Sequence, residues 1–133
     1  MAETNYIPLS RNLLADPKVK ALQKRYGKGA GAGHWAILLL ELYAAGAIVD
    51  MRQKFMREAF EDNHGMDMEE LYELLGLCAE VGLIDPLLWS NSRQVCNPHV
   101  LEHSQWLDEV SERRAEAGRK SGESRRKKAG ASD

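Results

Sequence analysis

One segment near the middle of the chain is apolar on almost every side. Placed on a helix, its large side chains cover most of the circumference; they are Trp35, Ile37, Leu38, Leu39, Leu40, Leu42 and Tyr43. A helix that is apolar all round has to be surrounded by other elements. A chain of 133 residues is long enough to supply one such core. We therefore expect a single domain built around this helix.

Start and stop signals for helices also occur before and after this segment. Asp16 is a suitable N-cap residue and Pro17 is favoured at the first helical position, so a short helix should run from there to Gly27. The stretch Arg52–Phe60 predicts another helix. The glycine-rich run Gly27–Gly33 is expected to be a flexible link between packed helices.

Two more helices are predicted in the second half of the chain. Asp67 can cap a helix whose apolar residues lie on one face and which ends at Gly82. Asn97 and Pro98 can start a final helix. The low-complexity sequence beyond Gly118 predicts fraying or disorder.

Short extended segments separate these helices. Ala47–Asp50 and Leu83–Asp85 are each compatible with a small strand. Turn-forming residues after Asp85, followed by Arg93–Cys96, predict a β-hairpin or wing. The expected fold class is mainly α with a small β-hairpin, a winged helix-turn-helix. Residues 1–110 would form this domain, and residues 111–133 a basic tail that extends the last helix and then becomes disordered.

Charge is distributed unevenly along the chain. Residues 111–133 contain eight bases and four acids, a formal charge of +4, whereas the preceding 110 residues contain ten bases and 16 acids, a charge of −6. The near-neutral total of −2 therefore combines an acidic body with a basic tail. Such a tail gains free energy when it displaces counterions from a phosphate backbone. Alternatively, the tail would bind an acidic protein surface, or it would only be solvated and have no partner.

Membrane insertion and secretion are not indicated. The longest apolar run, Trp35–Leu40, is far shorter than the roughly 20 residues that span a bilayer. The N-terminus lacks the basic lead and apolar stretch of a secretory signal. Cys78 and Cys96 do not make a disulfide framework. A cytoplasmic location with free thiols and no membrane partner is therefore expected.

An ordered set of short motifs resembles one family of winged-helix domains. The motifs are Tyr6-Ile7-Pro8-Leu9, Asp16-Pro17-Lys18-Val19, Tyr26-Gly27, Leu42-Tyr43 with Gly46, Gly82-Leu83-Ile84-Asp85, Arg113-Arg114 and Gly118-Arg119-Lys120-Ser121-Gly122. Over roughly residues 6–120 they resemble the N-terminal domain of phage- and plasmid-type replication initiators, which is often fused to DnaD-like helicase-loader domains. The resemblance implies DNA binding during replication initiation in a mobile element, without any visible helicase-loading module.

The basic residues are the expected DNA contacts. Phosphate binding is predicted for the first helix, the wing and the tail, at Lys18, Lys20, Lys24, Arg25, Lys28, Arg93, Arg113, Arg114, Arg119, Lys120, Arg125, Arg126, Lys127 and Lys128. Contacts of this kind are largely independent of sequence, because phosphates are the same at every base pair.

The helix in the recognition position departs from the family pattern. Between Asp67 and Val81 it contains several acids and no Lys or Arg, which makes it a poor reader of a DNA groove. The alternative function is a protein-interaction module, such as a phage-type inhibitor or adaptor. In that case Glu69, Glu70 and Glu73 would bind a basic surface of a nucleoprotein machine.

No enzymatic, metal or cofactor site is predicted. Cys96, His99 and His103 have a spacing that invites a zinc interpretation, but the remaining thiol, Cys78, lies among leucines and is expected to be a small core residue. No nucleophile elbow or paired catalytic carboxylates are present in the sequence. Trp89 is expected to pack in the domain rather than to stack on a base.

Overall fold

The computed structural model describes residues 6–131, and it describes side chains within residues 6–122. After a 3-10 turn at Leu13–Ala15, the elements are α1 (Pro17–Tyr26), α2 (Lys28–Ala44), β1 (Ile48–Asp50), α3 (Lys54–His64), α4 (Met68–Val81), α5 (Pro86–Ser92), β2 (Gln94–Cys96) and α6 (Pro98–Ala131). The prediction of a mainly helical chain with a small antiparallel sheet is therefore confirmed.

The predicted caps of α1 and α4 are formed. Asp16 accepts a hydrogen bond from the backbone N–H of Lys18 at 2.9 Å, with Pro17 at the first helical position. Asp67 and Glu70 form a reciprocal capping box at the start of α4, which ends at Gly82 with a φ of 83°. Local sequence signals therefore determine both ends of these helices.

Helix α2 forms the centre of the core. Leu38 and Leu42 are almost completely buried, and Trp35 and Leu39 nearly so, against apolar residues of α1, α3 and α4. One side of the helix nevertheless faces solvent, since Leu40 remains 53% exposed. The central position of α2 is as predicted, but its burial is not complete around the circumference.

The glycine-rich run is not a flexible link. Helix α2 begins at Lys28, so the later glycines of the run lie inside it. At Gly31, an added Cβ would lie 2.5 Å from the carbonyl oxygen of Leu22 and from the backbone nitrogen of Gln23. A glycine is needed here because α1 and α2 approach each other backbone to backbone. The prediction of a linker was wrong because glycine allows close packing as well as flexibility.

The predicted hairpin between Asp85 and Asn97 is absent, and α5 occupies most of that segment. Asp85 caps α5 by accepting hydrogen bonds from two backbone N–H groups, and Pro86 follows at the first helical position. Leu83–Asp85 is not a strand either. A single backbone hydrogen bond joins it to β2, from the N–H of Asp85 to the carbonyl oxygen of Cys96 at 2.8 Å.

The two strands come from distant parts of the chain. β1 pairs with β2 in antiparallel register, with Val49 opposite Val95. Both valines are buried, which attaches this small sheet to the helical core. The strand expected at Ala47–Asp50 is therefore present at Ile48–Asp50, and the extended segment expected at Arg93–Cys96 is present as β2. The two pair with each other, whereas the hairpin prediction paired the second segment with Leu83–Asp85.

Helices α3 and α4 are joined by the three residues Gly65–Asp67, and both contribute to the core through Phe60 and Leu71. Helix α6 contacts the body mainly through its first turns, where Val100 is buried. From Glu112 to Lys120 its side chains are exposed. The backbone stays helical to Ala131, through the segment for which fraying is expected.

Candidate nucleic-acid and protein interfaces

Three lysines form a ridge where α1 meets α2. Lys20 and Lys24 lie four residues apart on one face of α1, and Lys28 is the first residue of α2, after the helix break at Gly27. All three are exposed and line a shallow groove together with Pro17, Ala21 and Gln23. No acid lines this groove, and none of the three lysines forms an ion pair within the described part of the chain. The lysine ridge is therefore open to an anionic ligand.

The other two cations predicted on α1 face a different way. Arg25 forms an ion pair with Glu73 of α4 at 3.3 Å, and its guanidinium lies 5.2 Å from the centre of the Tyr26 ring. The ammonium of Lys18 donates to the carbonyl oxygen of Gly82, at the end of α4. The structure thus brings together Arg25, a predicted DNA contact, and Glu73, a predicted protein contact. Each partly neutralises the other.

Arg93 lies at the end of α5 rather than at the tip of a hairpin. Its φ of 51° places it in the left-handed region, as the C-terminal cap of that helix. The guanidinium stands 4.8 Å from the ring of Trp89 and 5.6 Å from that of Tyr72. Trp89 is only 5% exposed and meets Tyr72 edge to face. The expectation that Trp89 packs in the domain is therefore confirmed.

The exposed face of α4 is acidic. Glu69, Glu73 and Glu80 lie on it, on either side of Gly76. Glu70 also stays exposed, but its carboxylate accepts from the backbone N–H of Asp67 at 3.4 Å and belongs to the capping box. The three acids predicted for protein contact therefore differ in their availability. Glu73 is paired with Arg25, Glu70 belongs to the capping box, and Glu69 has neither kind of partner.

The basic residues of α6 project from the body. Arg113 and Lys120 form ion pairs along the helix with Glu109 and Glu116, at 3.9 and 3.4 Å. Such exposed pairs contribute little to stability. Arg114 and Arg119 are exposed and form no ion pair with a described residue. The side chains of the remaining predicted contacts, Arg125, Arg126, Lys127 and Lys128, lie outside the described residues.

The cysteines and histidines whose spacing invited a zinc interpretation have other contacts in the structure. His103 shares a hydrogen bond of 2.8 Å with the hydroxyl of Tyr43, whereas His99 is exposed. Cys78 and Cys96 are both buried and free. Burial raises the pKa of the Cys78 thiol to about 12, so it stays protonated as a small core residue, as its spacing predicted. No group of three or more potential metal ligands comes together within the described residues.

Sequence reasoning missed a buried polar chain between α2 and α3. Nδ1 of His34 lies 2.9 Å from Nδ1 of His64, and Nε2 of His64 lies 2.6 Å from a carboxylate oxygen of Glu41. The second oxygen of Glu41 accepts from the amide of Asn63 at 3.2 Å. Burial, followed by the proximity of His64, lowers the pKa of His34. The sequence gives one sign of this chain, which is Glu41 among the apolar residues of α2.

An apolar groove beside this chain was also missed. It lies between α2 and α3, where Ala44, Met56 and Ala59 line its walls. Phe55 is 65% exposed at its edge, and Ile48 is 42% exposed. Phe55 thus faces solvent although it is a large apolar residue of the helix predicted at Arg52–Phe60. A surface patch of this kind is a common feature of interaction sites.

These features define the chain as a small helical domain with a short α3–α4 turn, a two-stranded sheet and separate basic and acidic surfaces. The family model described as "Lin1244/Lin1753-like, N-terminal" matches residues 6–96, so the chain belongs to that family. The match runs from before α1 to the end of β2 and leaves out α6. Searches of curated proteins and of solved structures found no match. In the described part of the chain, no helix is sufficiently long and apolar to cross a membrane.

Proposed function

We propose that this protein is a small nucleic-acid-binding domain of the winged-helix type, similar to the DNA-binding domain of phage and plasmid replication initiators. The observation that carries the proposal is the lysine ridge of Lys20, Lys24 and Lys28, which is exposed and has no acid in its groove. A group of unpaired cations held by two packed helices binds phosphates without first breaking internal ion pairs.

The arrangement of elements supports the winged-helix assignment. Helices α3 and α4 follow each other after a three-residue turn, as the two helices of a helix-turn-helix do. The backbone contact from Asp85 to Cys96 holds the two ends of the α5 segment side by side, as the base of a wing would be. In this proposal α5 replaces the tip of the wing with a short helix.

The charges favour an approach from the α1 side. The exposed acids of α4 would be repelled by phosphates, so this helix does not enter the groove as a reader. The lysine ridge supplies most of the affinity in the body, and Arg114 and Arg119 add contacts from α6. Binding of this kind positions the protein on the duplex and discriminates weakly between sequences.

The test is a change of charge on the ridge at constant helix propensity. Lysine and glutamine have similar helix propensities, so the triple variant Lys20→Gln, Lys24→Gln and Lys28→Gln keeps α1 intact. We expect its affinity for random duplex DNA, measured by fluorescence anisotropy in about 0.1 M salt, to fall by about tenfold or more.

A matched control removes as many positive charges elsewhere, through Arg11→Gln, Lys54→Gln and Arg57→Gln. These three residues belong to neither α1 nor α6. The control should bind much more tightly than the ridge variant. Equal affinities for the two variants would contradict the proposal, because net charge alone would then account for the binding.

The second candidate is a protein-interaction module that uses the acidic face of α4, and the free carboxylate of Glu69 favours it. Its test is retention on immobilised polylysine, which serves as a basic probe. The variant Glu69→Gln, Glu70→Gln and Glu73→Gln should elute at lower salt than the charge-matched variant Glu58→Gln, Glu61→Gln and Asp62→Asn. Elution of both at the same salt concentration would count against a dedicated acidic surface.

A further inference from the structure

The partly buried chain of His34, His64 and Glu41 contains an in-line hydrogen bond between two imidazoles. The two Nδ1 atoms are 2.9 Å apart, the ring centres are 5.2 Å apart and the ring planes differ by 25°. The distance between centres exceeds the distance between nitrogens by about one ring width, so the rings meet edge to edge.

A bond between two imidazole nitrogens requires one N–H and one lone pair. Nε2 of His64 faces the carboxylate of Glu41 and has to carry a hydrogen, because an ionised carboxylate only accepts. If His64 is neutral, its Nδ1 accepts from His34. If His64 is charged, its Nδ1 donates to a neutral His34. The bond therefore survives while the pair holds at most one positive charge.

We propose that this pair is a pH-sensitive latch that joins α2 to the C-terminal end of α3 and opens when both imidazoles are protonated. In that state each Nδ1 carries a hydrogen, so the bond is replaced by a repulsive contact between two cations. The latch is independent of the proposed function, because it depends only on the contact between these two helices.

The position of the latch connects it to the turn between α3 and α4. His64 is the last residue of α3, and the turn Gly65–Asp67 leads directly into α4. The backbone N–H of Met66 donates to the carbonyl oxygen of Glu61 at 3.1 Å, which closes the end of α3. Opening of the latch would loosen this end and free α4 to shift relative to α2.

The surroundings supply one negative group in direct contact with the pair. The titratable groups in contact with the pair are Glu41 on α2, which bonds His64, and Tyr26 on α1, whose ring meets that of His34 edge to face. Further out, Arg25 on α1 and Glu70, Glu73 and Cys78 on α4 act on Tyr26. Glu41 bonds His64 directly and can compensate one positive charge. Burial and Cys78, Glu73 and Glu70 raise the pKa of Tyr26, opposed by Arg25, so that group stays neutral through the range in which histidines titrate. Among residues 6–122, no second carboxylate forms a hydrogen bond or ion pair with either imidazole.

The direction of the pH dependence follows from linkage. Because the folded state lowers the pKa of His34, the unfolded chain takes up this proton first as the pH falls. The stabilisation is therefore complete above the ordinary histidine pKa of about 6.5 and is lost as the pH falls from there through the lowered value. The folded-to-unfolded ratio should drop by up to about tenfold per pH unit in that window.

The variant His34→Asn separates the latch from general acid effects. An asparagine amide can present a donor or an acceptor close to the Nδ1 position at every pH, and its helix propensity is similar. The control is His99→Asn, which removes an exposed histidine. Chemical unfolding of all three full-length proteins at about pH 8, 6.5 and 5 gives the folded-to-unfolded ratios.

We expect the wild type to lose stability relative to His34→Asn between about pH 6.5 and 5. In the wild type, imidazole ¹⁵N shifts should show His34 titrating below the ordinary histidine pKa of about 6.5. The Met66 amide should exchange faster at low pH in the wild type than in His34→Asn. A constant ratio of wild type to His34→Asn would overturn the proposal, as would an equal pH-dependent change in the ratio of wild type to His99→Asn, or titration of His34 at or above the ordinary histidine pKa of about 6.5.

Discussion

At the scale of single residues, Gly31 shows how one missing side chain sets the geometry of the domain. The nearest atoms to its absent Cβ are backbone atoms of Leu22 and Gln23, which cannot rotate away. Helices α1 and α2 would have to move apart to accommodate a methyl group at this position. The lysine ridge depends on this crossing, because Lys20 and Lys24 are on α1 and Lys28 is at the start of α2.

The variant Gly31→Ala should therefore destabilise the protein by about 1–3 kcal/mol, as overpacking of a close contact does. Gly33→Ala is the matched control, since nothing lies within 4 Å of the Cβ position at Gly33. Removal of a helical glycine there should stabilise by about 0.5–1 kcal/mol. Urea unfolding midpoints test both, and equal midpoints for the two variants would contradict the close approach of α1 and α2.

At the scale of elements, the dipeptide Asp85-Pro86 acts as Asp16-Pro17 does. Each combines an N-cap aspartate with a proline at the first helical position, and each starts a helix. The hairpin was predicted because Ser90, Asn91 and Ser92 are also turn formers. The structure uses these residues inside α5.

The variant Asp85→Ala should destabilise the protein by about 1 kcal/mol, because it leaves two backbone N–H groups of α5 without their acceptor. Hydrogen exchange should accelerate at Leu87 and Leu88 in particular. Asp62→Ala, which removes an exposed acid of α3, serves as the control. Unchanged exchange at Leu87 and Leu88 would indicate that α5 does not need this cap.

Whether a feature could be predicted from the sequence depends on how far apart along the chain the residues that form it lie. Caps, helix faces and the core role of Cys78 depend on neighbours along the chain, and the sequence predicted them. The pairing of β1 with β2, the ion pair of Arg25 with Glu73 and the bond of His34 with His64 join residues that are far apart in sequence. Local patterns contain no information on such pairs, because each partner has several equally suitable positions.

At the scale of the whole molecule, the two signs of charge occupy different surfaces. The acids of α4 lie beside Arg25, whereas the lysine ridge and the exposed arginines of α6 have few internal partners. A polyanion that contacts the ridge can therefore avoid the acidic face. This separation explains how an acidic domain with a basic extension could bind nucleic acid despite a formal charge of −2.

The most direct test is the salt dependence of duplex DNA binding by the full-length chain. Each phosphate contact contributes about 0.9 to the slope of log K against log salt. We predict a steep negative slope for the wild type and a slope smaller by about 2–3 for Lys20→Gln, Lys24→Gln and Lys28→Gln. The same slope for both proteins, or no measurable binding by the wild type at low salt, would contradict the central proposal that the lysine ridge binds a phosphate backbone.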